Sequence, residues 1–123
     1  MIEWHDHQPI FRQLAALITQ QILQGIWNEG DALPSVRSVA ADMKINHITV
    51  MKGYQILVDQ GFVEKRLGQG MFVAPGAKQK LLATEKARFR EEQIPQIAET
   101  LKQLDIPLEE LIQLLTLHIK GDQ

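Results

Sequence analysis

Apolar residues recur at three- and four-residue steps in the first part of the chain, and this spacing predicts amphipathic helices. A first helix is predicted from Pro9 to Gly25, with an apolar stripe of Ile10, Leu14, Leu17, Ile18 and Ile22. Ser35 is placed to cap a second helix, and Asn46 to cap a third helix that runs to Gly61. About four residues separate the last two helices, which is the spacing of a helix-turn-helix.

The pattern changes to short β-prone runs after the third helix. Residues 62–66 and 71–73 contain Phe and Val, and the Leu67-Gly68-Gln69-Gly70 segment between them is typical of a hairpin turn. An isolated two-stranded hairpin is marginally stable in water. The residues predicted to pack it onto the helices are Phe62, Val63, Phe72 and Val73. Three helices followed by a hairpin predict a winged helix-turn-helix, whose third helix can enter the major groove of DNA.

The rest of the chain has a helical pattern that Pro95 interrupts. Proline lacks a backbone N–H and clashes with the preceding turn, so a kink or break is predicted near Gln93 and Ile94. The helices on either side of residues 105–107 carry more apolar residues than they can bury between themselves. A partner surface is therefore expected, most simply the same segment of a second chain. The residues predicted for this dimer interface are Ile97, Leu101, Leu104, Leu108, Leu111, Ile112 and Leu115.

These elements predict a mainly α fold with a small β-hairpin. An N-terminal winged helix-turn-helix domain is expected over residues 1–76, and a C-terminal two-helix dimerisation appendage over residues 77–123. The length of 123 residues excludes most large enzyme folds. No apolar run approaches the roughly 18 residues of a membrane span, and the polar, acidic opening after Met1 is unlike a signal peptide. We therefore expect a cytoplasmic protein that does not enter a membrane.

Charge is distributed unevenly along the chain, although the net charge is only −2. Residues 78–90 carry a net charge of +4, whereas residues 91–123 carry −5. The basic stretch admits two interpretations: it is a solvated helix face, or it lies near the phosphates of a nucleic acid.

Candidate catalytic chemistry is sparse. Cysteine is absent, which excludes disulfides and thiolate nucleophiles. His5 and His7 cannot share one helix face, and we interpret them as an accidental pair. There is neither a phosphate-cradling glycine loop followed by Lys and Ser or Thr, nor a nucleophile elbow. We expect no enzymatic activity, no metal and no cofactor.

Three motifs stand in fixed order within the first 73 residues. They are a Gly-Asp-x-Leu-Pro-Ser-x-Arg block at residues 30–37, an Asn-x-x-Thr-Val-x-Lys helix start at residues 46–52 and a Gly-x-Gly turn at residues 68–70. Together they resemble the DNA-binding domain of the GntR family of bacterial transcription regulators. The short helical C-terminus resembles the YtrA-like subfamily, in which a two-helix appendage forms the dimer. The larger sensor or aminotransferase-like domains of other members are not expected to fit in this length.

The resemblance implies a DNA-binding surface on the second helix, the third helix and the wing. Arg37 matches an arginine that contacts DNA in the family, but it could instead pair with Asp31 or Asp42. Ile48 could contact a thymine methyl or pack inward. Gln69 replaces a basic residue often found at the wing tip. The predicted DNA-binding residues are Ser35, Arg37, Asn46, His47, Ile48, Thr49, Lys52, Arg66, Gly68, Gln69 and Gly70.

Three further positions of the third helix carry expectations about packing. Met51 could lie against the groove or pack inside. Gly53 costs up to about 1 kcal/mol of helix stability relative to alanine unless close packing requires it. Tyr54 is predicted to lie in the core, with its hydroxyl bonded at the edge.

The pattern and the resemblance together predict a homodimeric, sequence-specific transcriptional regulator. It would be a repressor that reads a pseudo-palindromic operator in double-stranded DNA, at its own operon and, by resemblance to the subfamily, at transporter genes. The alternative is a winged-helix protein–protein adaptor without DNA binding, which the net acidity, Ile48, Leu67 and Gln69 favour. Any small-molecule effector would have to bind between the appendage and the winged domain, or at the dimer interface.

Overall fold

The computed structural model describes residues 3–121, so the opening at Met1 lies outside the described residues. Its helices are α1 (Ile10–Leu23), α2 (Val36–Met43), α3 (His47–Asp59), α4 (Ala77–Arg88), α5 (Ile94–Gln103) and α6 (Leu108–Lys120). Its strands are β1 (Val63–Arg66) and β2 (Gly70–Val73), and a π-helical turn, Phe89–Gln93, joins α4 to α5. The predicted mainly α fold with a small hairpin is confirmed. The chain divides into two compact units, between Ala83 and Thr84.

Side-chain caps determine where α2 and α3 begin. The backbone N–H of Ser38 donates to Ser35 Oγ at 3.0 Å, and that of Ile48 donates to Asn46 Oδ1 at 2.8 Å. These bonds satisfy donors that have no partner within the first turn of a helix. Both predicted caps are confirmed. Lys44, with a φ of 56°, ends α2.

The core of the N-terminal unit joins the helices to the hairpin. Its buried apolar residues are Leu14, Ala15, Ile18, Ile22, Leu33, Val39, Val50, Tyr54, Leu57, Phe62, Val63, Val73, Ala77 and Leu81. Helix α3 packs tightly against α1 at Gly53, where a Cβ atom would lie 3.0 Å from the backbone oxygen of Phe11 and 3.2 Å from Cδ2 of Leu14. Close packing therefore accounts for a glycine that weakens the helix.

The hairpin is antiparallel, with Val63 opposite Val73 and Arg66 opposite Gly70. The segment before α2 extends it, because Ala32 forms an isolated bridge with Phe72. Three of the four residues predicted to pack the hairpin onto the helices, Phe62, Val63 and Val73, are buried. Phe72 is only half-buried, and the Arg66 guanidinium stacks on its ring, with Cζ 4.0 Å from the ring centroid.

Helix α4 contributes to the N-terminal core in a way the sequence analysis did not predict. Ala77 and Leu81 are buried there. Further along, the interruption predicted near Gln93 takes the form of the π-helical turn, since the N–H of Ile94 donates to the carbonyl of Phe89, five residues earlier. Pro95 then falls in the first turn of α5, where a missing N–H is tolerated.

The C-terminal unit exposes most of its apolar residues. No residue of the range 84–121 is buried. Among the predicted dimer residues, Ile97, Leu101 and Leu111 are half-buried, and Leu104, Leu108, Ile112 and Leu115 are exposed. None of the helices in the described residues is long and apolar enough to cross a membrane.

Tyr54 fixes α3 to the segment that precedes α2. Its side chain is fully buried, and its hydroxyl donates to the carbonyl oxygen of Pro34 at 2.6 Å. The predicted core position and the predicted hydroxyl partner are both confirmed. Burial raises the pKa of Tyr54 from 10.0 to about 12, because the ionised phenolate would lose its hydration.

Replacement of Tyr54 by Phe is expected to lower the free energy of unfolding by about 1 kcal/mol at neutral pH, since Pro34 loses its hydrogen-bond donor. The raised pKa adds a pH dependence: the contribution of Tyr54 is fully present below pH 10 and is lost as the pH rises through about 12. Urea unfolding of both proteins at pH 7 and pH 11 measures this. The wild type should lose more stability than Tyr54→Phe between pH 7 and pH 11. Equal losses in the two proteins would contradict the raised pKa of Tyr54.

Candidate nucleic-acid interface

The beginnings of α2 and α3 border a shallow depression of about 670 Å³. The residues that line it are Val36, Arg37, Ala40, Ala41, Ile45, Asn46 and His47. The surface thus combines an apolar part with the polar groups of Arg37, Asn46 and His47, three of the predicted DNA-binding residues. The sequence did not predict this apolar part, although the two adjacent alanines of α2, Ala40 and Ala41, were an available signal.

Arg37 lies exposed in the first turn of α2. Among residues 3–121, it forms no ion pair, and the alternative pairing with Asp31 or Asp42 is not present. The Asp31 carboxylate instead accepts the backbone N–H of Asn28 at 2.7 Å. The guanidinium therefore keeps its planar set of donors available for a phosphate or a guanine edge.

Ser35 and Asn46 have structural roles that also bear on binding. Each uses a side-chain oxygen to cap its helix. The Ser35 hydroxyl hydrogen and the Asn46 amide group can still donate outward. These two predicted site residues therefore hold the beginnings of α2 and α3 in place whether or not they touch a ligand.

The outer side of α3 exposes His47, Ile48, Met51 and Lys52, and Thr49 is half-buried. Ile48 and Met51 are each 53% exposed, so both point away from the core and the inward alternative is wrong for each. The Lys52 ammonium lies 5.8 Å from the centroid of the Phe11 ring, a weak cation–π contact on the surface. Lys52 therefore remains accessible to a phosphate group.

The wing presents less charge than its sequence indicates. Arg66 is held within the hairpin, because its Nε lies 3.5 Å from a Glu64 carboxylate oxygen and its guanidinium stacks on Phe72. The N–H of Gln69 donates to the carbonyl of Arg66 at 2.9 Å and closes the turn. Leu67, in this turn, is 94% exposed.

Gly68 and Gly70 shape the wing turn, with φ values of 75° and 107°. A side chain would strain both conformations. A DNA contact of the wing would therefore come from backbone groups, Leu67 and Gln69 more than from Arg66.

The basic residues between 78 and 90 are exposed, and Arg88 pairs with Glu85 at 3.2 Å. This exposure is what the interpretation as a solvated helix face predicts. Within the described range 3–121, no group of three or more His, Cys, Asp or Glu residues is arranged to hold a metal ion.

The fold and this surface define a class of protein, the winged helix-turn-helix regulators. The sequence model described as "Bacterial regulatory proteins, gntR family" matches residues 11–73. The HTH-type transcriptional repressor YtrA of Bacillus subtilis is 31% identical over 98% of this chain and 94% of its own length. The chain also matches Escherichia coli YdcR, at 42% identity, but spans 14% of that longer protein. The chain therefore belongs to the GntR family.

Solved structures agree with this membership. A GntR-family structure from Bacteroides thetaiotaomicron superposes with a TM-score of 0.74 at 31% identity, covering 92% of this chain and 99% of that one. The N-terminal domain of AraR in complex with mutant ORR3 superposes with a TM-score of 0.54 at 26% identity, covering 57% of this chain and all of that one. A second AraR structure names ORR3 as an operator. The predicted family and winged-helix fold are confirmed, and the chain is a regulator rather than an enzyme.

Proposed function

We propose that the protein is a homodimeric transcriptional repressor that binds a pseudo-palindromic operator in double-stranded DNA. The observation that carries this proposal is the exposed Arg37, unpaired within the described residues, beside the beginning of α3. In helix-turn-helix proteins the recognition helix, which is α3 here, places its first residues against base edges in the major groove. The repressor name of B. subtilis YtrA and the DNA complex of AraR support the same function.

The apolar residues of α5 and α6 support the homodimer. Leu104, Leu108, Ile112 and Leu115 are exposed in the single chain, which leaves four large apolar side chains in contact with water. A second copy of the chain would cover them with a self-complementary surface. Two winged domains related by a two-fold axis would then read two half-sites of an inverted repeat.

The proposed repressor function implies where the protein acts, and the resemblance to the YtrA-like subfamily suggests which genes it regulates. A repressor acts in the bacterial cytoplasm, where the chromosome lies. Its own operon and transporter genes are the targets proposed from the resemblance to YtrA-like regulators. A small-molecule effector, where one acts, would bind at the dimer interface or beside the appendage.

A winged-helix adaptor that binds protein is the second candidate. Leu67 favours it, because an almost fully exposed leucine in the wing turn suits an apolar partner better than a phosphate chain. The intramolecular contacts of Arg66 reduce the positive charge that the wing offers to DNA.

Selection of genomic DNA fragments with the purified protein distinguishes the two candidates. A repressor is expected to enrich fragments that share an inverted repeat, with half-site centres about 10 bp apart. An adaptor would enrich no common sequence. The selected repeat then serves as the operator in every binding experiment below.

Operator binding is expected to depend strongly on salt. If each protomer neutralises about four phosphates, a dimer neutralises about eight, and the logarithm of the binding constant should fall against that of the salt concentration with a slope near −7. Fluorescence anisotropy between 50 and 200 mM salt, roughly the range over which such contacts show their effect, measures the slope. A specific binding constant that hardly changes with salt concentration would contradict the proposal that the protein contacts DNA phosphates.

A further inference from the structure

Helix α3 exposes two of its apolar side chains. Ile48 and Met51 are each 53% exposed, whereas Val50, Tyr54 and Leu57 are completely buried. Residues three apart share one side of a helix, so Ile48 and Met51 form a pair on the outer side of α3. Apolar surface in water is unfavourable, and a partner that covers the pair gains free energy.

Few groups on the same side of α3 can read bases through hydrogen bonds. Asn46 Oδ1 accepts the N–H of Ile48 in the cap, which leaves the Asn46 amide only its N–H donors, and the Gln55 amide donates to Asp59 at 2.8 Å. His47 is exposed at the beginning of the helix, before the pair. Lys52 offers donors but no acceptor. Apolar contact is therefore the main chemistry that the middle of this face offers.

We propose that Ile48 and Met51 recognise the 5-methyl groups of thymines in the major groove of the operator. This inference rests on the DNA-binding function proposed above. The thymine methyl is the apolar group that a base pair presents in that groove. Residues three apart on a helix have Cβ atoms about 5–6 Å apart, and successive base pairs lie roughly 3.4 Å apart along the duplex. The Ile48 and Met51 side chains can therefore converge on methyl groups of neighbouring base pairs.

The charges around the pair favour DNA over an apolar protein surface. Arg37 and Lys52 are exposed beside the beginning and the second turn of α3, and neither forms an ion pair among residues 3–121. Cations beside an apolar pair match a groove in which methyl groups lie between two phosphate chains. An apolar protein partner would leave both cations without a counter-charge.

Deoxyuridine substitution in the selected operator tests the inference, because it removes the methyl group and keeps every hydrogen-bonding group of thymine. Anisotropy titrations with the full-length protein are expected to show two adjacent positions in each half-site where the change weakens binding. The operator affinity should fall about fourfold for each methyl group that is buried in the complex and removed by the substitution. Specific binding that is unaffected by deoxyuridine at every position would overturn the inference and leave the repressor function intact.

Substitutions in the protein connect each methyl group to a side chain. Ile48→Ala is expected to abolish the deoxyuridine effect at one position, and Met51→Ala at the other. Ile26→Ala is the matched control, because Ile26 is 54% exposed and lies outside the helix-turn-helix; it should retain both effects. An undiminished effect in both α3 variants would overturn the assignment. A selection that enriches no DNA would overturn the repressor function itself, and this inference with it.

Discussion

Replacement of Arg37 by alanine is expected to weaken operator binding by roughly 1–3 kcal/mol per half-site, which is the range for an arginine that reads a base. An operator with two half-sites would then lose about thirtyfold or more in affinity. The physical reason is the availability of the side chain, which is exposed, forms no ion pair among the described residues, and lies at the depression formed by α2 and α3. Titration of the variant against the selected operator measures the loss.

Two further variants define what Arg37 contacts. Arg37→Lys keeps the positive charge but lacks the planar guanidinium group. If Arg37 contacts a phosphate, this variant should bind the operator nearly as well as the wild type; if Arg37 reads a guanine, it should bind as weakly as Arg37→Ala. Lys102→Ala removes one positive charge from α5 and serves as the charge-matched control, with unchanged affinity expected. Full operator affinity in a folded Arg37→Ala protein would remove Arg37 from the interface.

Replacement of Ile112 by glutamate is expected to convert the proposed dimer into a monomer. Ile112 is 54% exposed in the single chain and lies among the apolar residues of α6, so a charge there would be buried without a partner in the proposed interface. A monomer contacts one half-site at a time and loses the gain of linked binding, about 10²- to 10⁴-fold. Sedimentation and operator titration measure the two effects.

Gln113→Glu is the matched control for this variant. It adds the same negative charge to the neighbouring position of α6, where the native residue is polar and exposed. It should remain dimeric and bind the operator normally. A wild-type protein that sediments as a monomer would overturn the proposed homodimer. An Ile112→Glu protein that stays a dimer would place the interface elsewhere.

Local signals explain why much of the winged domain could be predicted from the sequence. Ser35 and Asn46 are capping residues directly before apolar periodicity, and both caps are present. The hairpin followed from a change of period and from glycines, which adopt positive φ in its turn. Each of these signals operates over a few neighbouring residues, so the sequence alone contains it.

The features that escaped prediction depend on contacts between distant residues. The exposure of Ile48 and Met51 could not be decided, because the position of α1 relative to α3 determines which side of α3 is covered. The contacts of Arg66 depend on Phe72, which lies on the other strand of the hairpin. Likewise, the burial of Leu81 requires the N-terminal core to be assembled before α4 can pack against it.

In the proposed repressor, the two sides of α3 would separate the choice of operator from the maintenance of the fold. Val50, Gly53 and Tyr54 are constrained by the core, and at Gly53 even one additional carbon meets the backbone of α1. Ile48 and Met51 lie on the opposite side, where substitutions leave the packing intact. On the proposed function, operator preference would change through exposed positions of one helix at little cost in stability, and the same positions are the ones to randomise when the protein is redirected to a chosen DNA sequence.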